Sequence, residues 1–563
     1  MRTLNRVLTL LALLTTTKAL PPQGPELAPR ATTFANPVLW EDYPDLDVFR
    51  VGSVFYYSAS TFAYSPGAPL LKSYDLVHWT PVTHSVPTLN FGPEFDLPAG
   101  TPGGYVKGIW ASTLRYRAAN DMFYWYGCAA GSSKTYIWTA ANTSALLTSG
   151  DVPTSRFTWT SHPPIPTCCY DAGLHIDTDT NTPYIAYGNP TISIAQLSPD
   201  GLSQLHTQAV YTPPSGTTLE GSRLYKINGT YFILTTRPAD AEYVLRSTKP
   251  NSPFGPYEAR VLVSRVAGPL ANAGFAHQGG IVDTADGRWF YVAFMDAYPG
   301  GRIPVVAPLR WTADGWPEVV LDGKGQWGSG YEVPVQGGQG QVQGVGVVVD
   351  EFEGRELSHH WEWNHNPDAG KWALLGGEEG GEGGLVLKTA SVTADLFAAR
   401  NTLTKRIAGP KSRGTFRLDV SKMRDGDRAG AVLFRDRAAY IGVWKQGTEA
   451  KILFVSGLNL TEGTWKTAST GTVAATGPTV GDGQDVWLRI EADITPAFGT
   501  STERTTAFSY SLDGGKTFAR LGQPFAMSNS WRYFSGYRFG VFNFGTKALG
   551  GEVKVKNFQM EPW

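Results

Sequence analysis

The sequence predicts an all-β protein in two parts, the blades of a β-propeller followed by a β-sandwich. Three observations predict it. Aromatic-rich, β-forming runs recur roughly every fifty to sixty residues between positions 36 and 320. The same stretch carries no convincing amphipathic helix. At Asp322–Gly346 the composition turns Gly- and Gln-rich, and a second set of alternating runs begins at Asp350. A plain sandwich is the alternative for the first part, but that region is long for one.

In chain order, Arg2 and Arg6 precede a short apolar run, Val7 to Leu14, followed by small residues. This is the pattern of a secretory signal, residues 1–19, with cleavage after Ala19. The run is too short to span a bilayer, and no later segment qualifies. A secreted, extracellular protein is expected, acting as a monomer. Three sequons, at Asn142, Asn228 and Asn459, fit that route. A Pro-rich stretch, 21–33, should be extended.

The first domain is expected over 34–321. Its strand-like runs are Val54–Ser58, Met122–Tyr126, Pro183–Tyr187, Thr230–Leu234 and Trp289–Phe294. Four of them follow turn residues: Gly52-Ser53, Asn120-Asp121, Asn228-Gly229 and Asp286-Gly287. A linker is expected over 322–347 and a sandwich over 348–563. The sandwich runs are Gly384–Lys388, Gly414–Val420, Ala431–Phe434, Val486–Ala492 and Ala507–Ser511. The last enters a hairpin whose Asp513-Gly514-Gly515 supplies positive φ.

With 563 residues the chain is too long for one domain, and its net charge of -1 gives no footprint for nucleic acid or an anionic membrane. The cysteines, Cys128, Cys168 and Cys169, contain no CxxC, so zinc is not expected. Cys128 can bridge to Cys168 or to Cys169, and spacing does not choose between them. There is no GxSxG elbow, P-loop, HExxH or dinucleotide fingerprint.

Carboxylates carry the remaining chemistry. Cleaving a glycosidic bond needs one protonated carboxyl for the leaving oxygen and one ionised carboxylate for water or direct attack. Asp45 lies between turn residues just before a β-forming run; Asp42 and Asp47 compete with it, and an Asx turn is its plain alternative. Asp171 precedes the run 172–176, and Asp177 and Asp179 read as shaping the hairpin that follows. Glu220 is flanked by apolar residues and Gly, which can raise a carboxyl pKa as a general acid requires. Its plain alternative is an ion pair with Arg223. His277 precedes another strand, Arg302 follows Gly300-Gly301, and Trp110 is either a platform for a sugar face or a core residue.

Taken in order, these blocks resemble family 43 of the glycoside hydrolases. The opening block is matched by Asn36–Leu39, Tyr43-Pro44-Asp45, Arg50-Val51-Gly52, Ser60-Thr61-Phe62, Pro66-Gly67 and Ser73–Trp79. Lys107–Ala111 resembles the second block, with Ser112 where the family usually has Pro. Tyr170-Asp171, Glu220-Gly221 and Ala276-His277 resemble the next three. The C-terminal part, with Trp361–Asp368, resembles the sandwich attached to one branch of the family.

The resemblance implies a five-bladed β-propeller followed by a C-terminal β-sandwich, with the site on the propeller axis. It implies an inverting mechanism with Asp45 as general base, Glu220 as general acid and Asp171 tuning and orienting the acid. Trp110, Phe62, Arg302 and His277 would contact the sugar. His277 would also lie near a channel holding a hydrated calcium or sodium ion, which the chemistry itself does not require. The overall pattern is most similar to fungal enzymes that release arabinose from doubly substituted xylose of arabinoxylan and act on branched arabinan. A β-xylosidase of the same family and a propeller that binds carbohydrate without cleaving it are the alternatives.

Overall fold

Strands that are apolar on both faces need neighbours on both faces, and here the neighbours are other blades. The computed structural model describes residues 32–141, 158–335, 346–376 and 383–563. The expected signal, the Asn142 sequon and part of the expected linker lie outside these residues. Five four-stranded antiparallel sheets form a β-propeller, and no α-helix is found among the described residues.

Each blade runs in chain order from its inner to its outer strand. Blade 1 spans Asp47–Val51 to Thr80–Val86, and blade 2 spans Thr113–Arg117 to Thr160–Ile165. Blade 3 spans Gly173–Ile176 to Gln204–Tyr211, and blade 4 spans Glu220–Ile227 to Tyr257–Ser264. Blade 5 spans Ala276–Asp283 to Pro317–Val319. The recurring aromatic runs of the sequence are the second strand of every blade. That strand is enclosed by its own sheet and by the flanking blades; Val54–Ser58 is buried throughout. Asn228 and Gly229, at φ 50° and 76°, form the two-residue turn that joins the first two strands of blade 4.

The ring is closed by non-covalent contacts between its ends. Thr33–Ala35 pairs with Gly330–Glu332. Asn36 donates to the Val306 carbonyl at 2.9 Å and accepts from the Val306 N–H at 2.9 Å. Trp327 is buried, and its backbone N–H donates to the Ala267 carbonyl. Residues 322–335, expected as the start of a linker, are thus packed on the propeller. Cys128 and Cys168 form the disulfide, with Cα atoms 5.3 Å apart, and Cys169 is buried and free.

The second domain is a sandwich of a nine-stranded and an eight-stranded sheet over an apolar core that includes Phe416, Ile441, Phe539 and Phe558. The eight-stranded sheet takes its edge strand from the propeller: Tyr64–Ser65 pairs with Trp361–Asn364. Beside this seam Glu362 is fully buried. It accepts from Arg406 at 2.8 Å and Arg538 at 2.6 Å, and meets His84 of blade 1 at 3.0 Å. Removing one member of a buried charge cluster strands the others. Glu362→Ala should therefore cost about 3–5 kcal/mol of stability, read as a lower midpoint in chemical denaturation.

Candidate active site

The three candidate carboxyls and His277 fall at the starts of inner strands, where the chain enters each blade. Asp45 stands two residues before the inner strand of blade 1, and Asp171 two before that of blade 3. Both have left-handed backbones, at φ 55° and 53°, a conformation Asp tolerates better than most residues. Glu220 opens the inner strand of blade 4. Arg302 opens the third strand of blade 5, and His277 lies at the start of that blade's inner strand.

Asp45 is held at both ends. Its carboxylate accepts from Arg302 Nη1 at 2.6 Å, and its carbonyl accepts from Arg223 Nη2 at 2.9 Å. Arg223 is buried and also donates to the carbonyls of Leu46, Ala172 and Ser222. It therefore joins blades 1, 3 and 4 through backbone oxygens. The pairing with Glu220 that sequence alone allowed does not form.

Glu220 instead accepts from Asn189 Nδ2 at 2.6 Å and from the Tyr170 hydroxyl at 3.4 Å. Burial, and next the nearby charge of Asp45, push its carboxyl above the ordinary range. Asp171 accepts from the Gly221 N–H at 3.0 Å, fixing the backbone beside Glu220. Burial, followed by the charges of Glu220 and Asp45, pushes Asp171 well up. Three carboxyls thus converge electrostatically, and the partly exposed Glu220 is poised to keep a proton.

Asn189 donates to the carboxylate form of Glu220 and so opposes the upward shift. Removing that donor disfavours the charged form and raises the Glu220 pKa further. Asn189→Ala should therefore move the basic limb of the kcat/KM–pH profile to higher pH.

The two competitors of Asp45 have other duties. Asp47 is buried and accepts from the Thr113 hydroxyl at 2.7 Å, the Leu114 N–H at 3.1 Å and Arg115 at 2.6 Å. It ties blade 1 to blade 2. Asp42 accepts two backbone N–H groups, from Arg302 and from Gly536. Asp177 caps its hairpin turn as expected, accepting from the N–H groups of Asp179 and Thr180.

Trp110, half-buried, donates from its indole to the Val106 carbonyl, and its ring lies 5.8 Å from Tyr170. Phe62 is buried and stacks at 5.7 Å on Phe534, a residue of the sandwich. Phe534 also lies 6.1 Å from Trp110 and 5.1 Å from the Arg302 guanidinium. The second domain therefore supplies part of the site wall. Beside it a cavity of about 320 Å³ is lined by Lys107, Trp110, Trp465, Arg532 and Phe534, among others. Sequence reasoning missed Asn189, Phe534 and Trp465. No local motif marks them, because their neighbours are distant in the chain.

His277 is buried, and burial holds its pKa down, so the ring is neutral. Nδ1 meets the Phe275 carbonyl at 2.9 Å and is the protonated nitrogen, leaving a lone pair on Nε2, 4.0 Å from Asp296. Among the described residues no three His, Cys, Asp or Glu side chains gather as a ligand set. Calcium and sodium prefer oxygen ligands, so His277 does not fit as a direct ligand. Contact through water is the form its chemistry allows.

Comparison with known proteins agrees with the two-domain fold. Residues 34–317 match the family described as glycosyl hydrolases family 43, and residues 349–561 match the β-xylosidase C-terminal concanavalin A-like domain. A β-xylosidase of Formosa agariphila is 28% identical, over 93% of this chain and 90% of its own. A non-reducing end α-L-arabinofuranosidase of Bacteroides ovatus is 27% identical, over 72% of this chain and 74% of its own. A solved GH43 glycoside hydrolase is 70% identical with a TM-score of 0.91, covering 94% of this chain and 100% of that one. Engineering of its active site is described as giving both endo-xylanase and exo-arabinofuranosidase activity.

Proposed function

This chain belongs to family 43 of the glycosyl hydrolases, and from that membership we propose that it is a secreted, inverting α-L-arabinofuranosidase. The proposed reaction removes α-1,3-linked arabinofuranose from doubly substituted xylose units of arabinoxylan, with branched arabinan as a further substrate. The observation that carries this choice is the 70% identical relative, whose engineered form displays exo-arabinofuranosidase activity. The cavity beside Trp110 and Phe534 supports a polymeric substrate, because its aromatic rings suit the faces of main-chain sugars.

In the proposed mechanism, Glu220 protonates the glycosidic oxygen as the bond from C1 breaks. Water attacks C1 from the opposite side and gives its proton to Asp45. Arg302 fixes the Asp45 carboxylate, Asp171 fixes the backbone beside the acid, and burial with the Asp45 charge keeps the acid protonated. No step is assigned to a metal ion.

The names of several relatives favour a second reading, a β-xylosidase. Incubation with doubly substituted arabinoxylan oligosaccharides, set against xylobiose, separates the two. Arabinose from the former is the expected result. Xylose from xylobiose, with no arabinose from the oligosaccharides, would replace the first reading by the second.

A further inference from the structure

Asp42 is a buried carboxylate outside the acid/base set, yet both of its oxygens are committed. One oxygen accepts the Arg302 N–H of the propeller at 2.7 Å. The other accepts the Gly536 N–H of the sandwich at 2.8 Å, across 494 residues of sequence. Its own carbonyl accepts from Arg406 at 2.7 Å, and Arg406 is held by Glu362 at 2.8 Å. The two groups that Asp42 holds lead straight to the site. The Arg302 guanidinium pairs with Asp45 at 2.6 Å, and Gly536 lies two residues after Phe534, the ring that stacks on Phe62.

The packing around this carboxylate leaves no slack. A Cβ on Gly301 would lie 2.3 Å from an Asp42 oxygen, and one on Gly536 would lie 2.2 Å from the Gly300 carbonyl oxygen. Nearby, Tyr298 donates to the Phe534 carbonyl at 3.0 Å, and the Tyr537 N–H donates to the Pro299 carbonyl at 3.1 Å. Loop 297–302 and loop 534–537 therefore meet backbone to backbone, with the Asp42 carboxyl as the link between them.

We propose that Asp42 is a positioning residue that sets the catalytic propeller and the sandwich in register. It places Arg302 on the general base and the Phe534 ring on the site wall in a single interaction. The sandwich then contributes to turnover as well as to stability. This inference rests on the reading of Asp45 as the base.

The test is Asp42→Asn, which keeps size and shape but turns one acceptor into a donor facing an N–H group. Kinetics are measured on whichever of 4-nitrophenyl α-L-arabinofuranoside and β-D-xyloside the wild type cleaves. Misplacing a catalytic group by about 1 Å can cost about a hundredfold. A fall in kcat of about ten- to a hundredfold is expected, together with a higher KM. Gly536→Ala, whose Cβ would meet the Gly300 backbone of the loop that leads into Arg302, wedges the two loops apart and should lower kcat and raise KM in the same direction as Asp42→Asn. In a double-mutant cycle, Phe534→Ala should absorb most of the KM effect of Asp42→Asn and leave its kcat effect. Wild-type kinetics in Asp42→Asn, or strictly additive effects with Phe534→Ala, would overturn the inference. If Asp42→Asn does not fold, Phe534→Ala alone decides whether the sandwich contributes to turnover: a raised KM supports the inference, and wild-type kinetics overturn it. A wild type inactive on both glycosides would instead be a failure of the functional reading.

Discussion

Asp45→Ala is expected to lower turnover by about 10²–10⁴-fold on every glycoside the enzyme cleaves, activated or natural. The water must lose its proton in the transition state whatever group departs, so no leaving group compensates for the missing base. The fold should persist. Arg302 keeps Asp296 at 3.3 Å, and Arg223 still binds the backbone carbonyls at 45 and 46. Initial rates and far-ultraviolet circular dichroism read the two parts. An Asp45→Ala enzyme with wild-type turnover would remove Asp45 from the mechanism and reopen the claim of its acidic neighbours.

Glu220→Gln should separate substrates by the quality of their leaving group. On arabinoxylan oligosaccharides the departing alkoxide needs a proton, so a loss of about 10²–10⁴-fold is expected. 4-Nitrophenolate leaves without one, so the loss on 4-nitrophenyl α-L-arabinofuranoside should be much smaller. The basic limb of the pH profile should also vanish on that substrate. In the wild type this limb reports loss of the Glu220 proton as pH rises through its raised pKa, which burial and the Asp45 charge set. Equal losses on both substrates would show that Glu220 does not act as the acid. Gln keeps the shape of the side chain and an oxygen for the Asn189 amide, so the comparison reads charge and proton rather than packing.

Several of these features were legible in the sequence for local reasons. The second strand of each blade is buried on both faces, so its aromatic composition recurs once per blade and announces the repeat. Asp45 and Asp171 sit at turns directly before inner strands, a position visible from flanking Pro, Gly and β-forming residues. Glu220 was visible as a carboxyl set among apolar neighbours. Local signals also ranked Asp42, Asp45 and Asp47 alike, because all three stand close together at the start of the same β-forming run. Only the family pattern chose among them.

The tertiary structure decided what each side chain touches. It gave Asp47 to the joint between blades 1 and 2 and Asp42 to the joint between the domains. Arg223 went to backbone carbonyls of three blades, and the partner of Glu220 became Asn189, 31 residues upstream. Phe534 reached the site from the other domain, where nothing in its own neighbourhood marks it. The physical reason is the same each time. Strand and turn formation follow from neighbouring residues, which a sequence displays. The pairing of buried charges follows from which surfaces close against each other, and that is fixed only when the ring shuts and the sandwich docks.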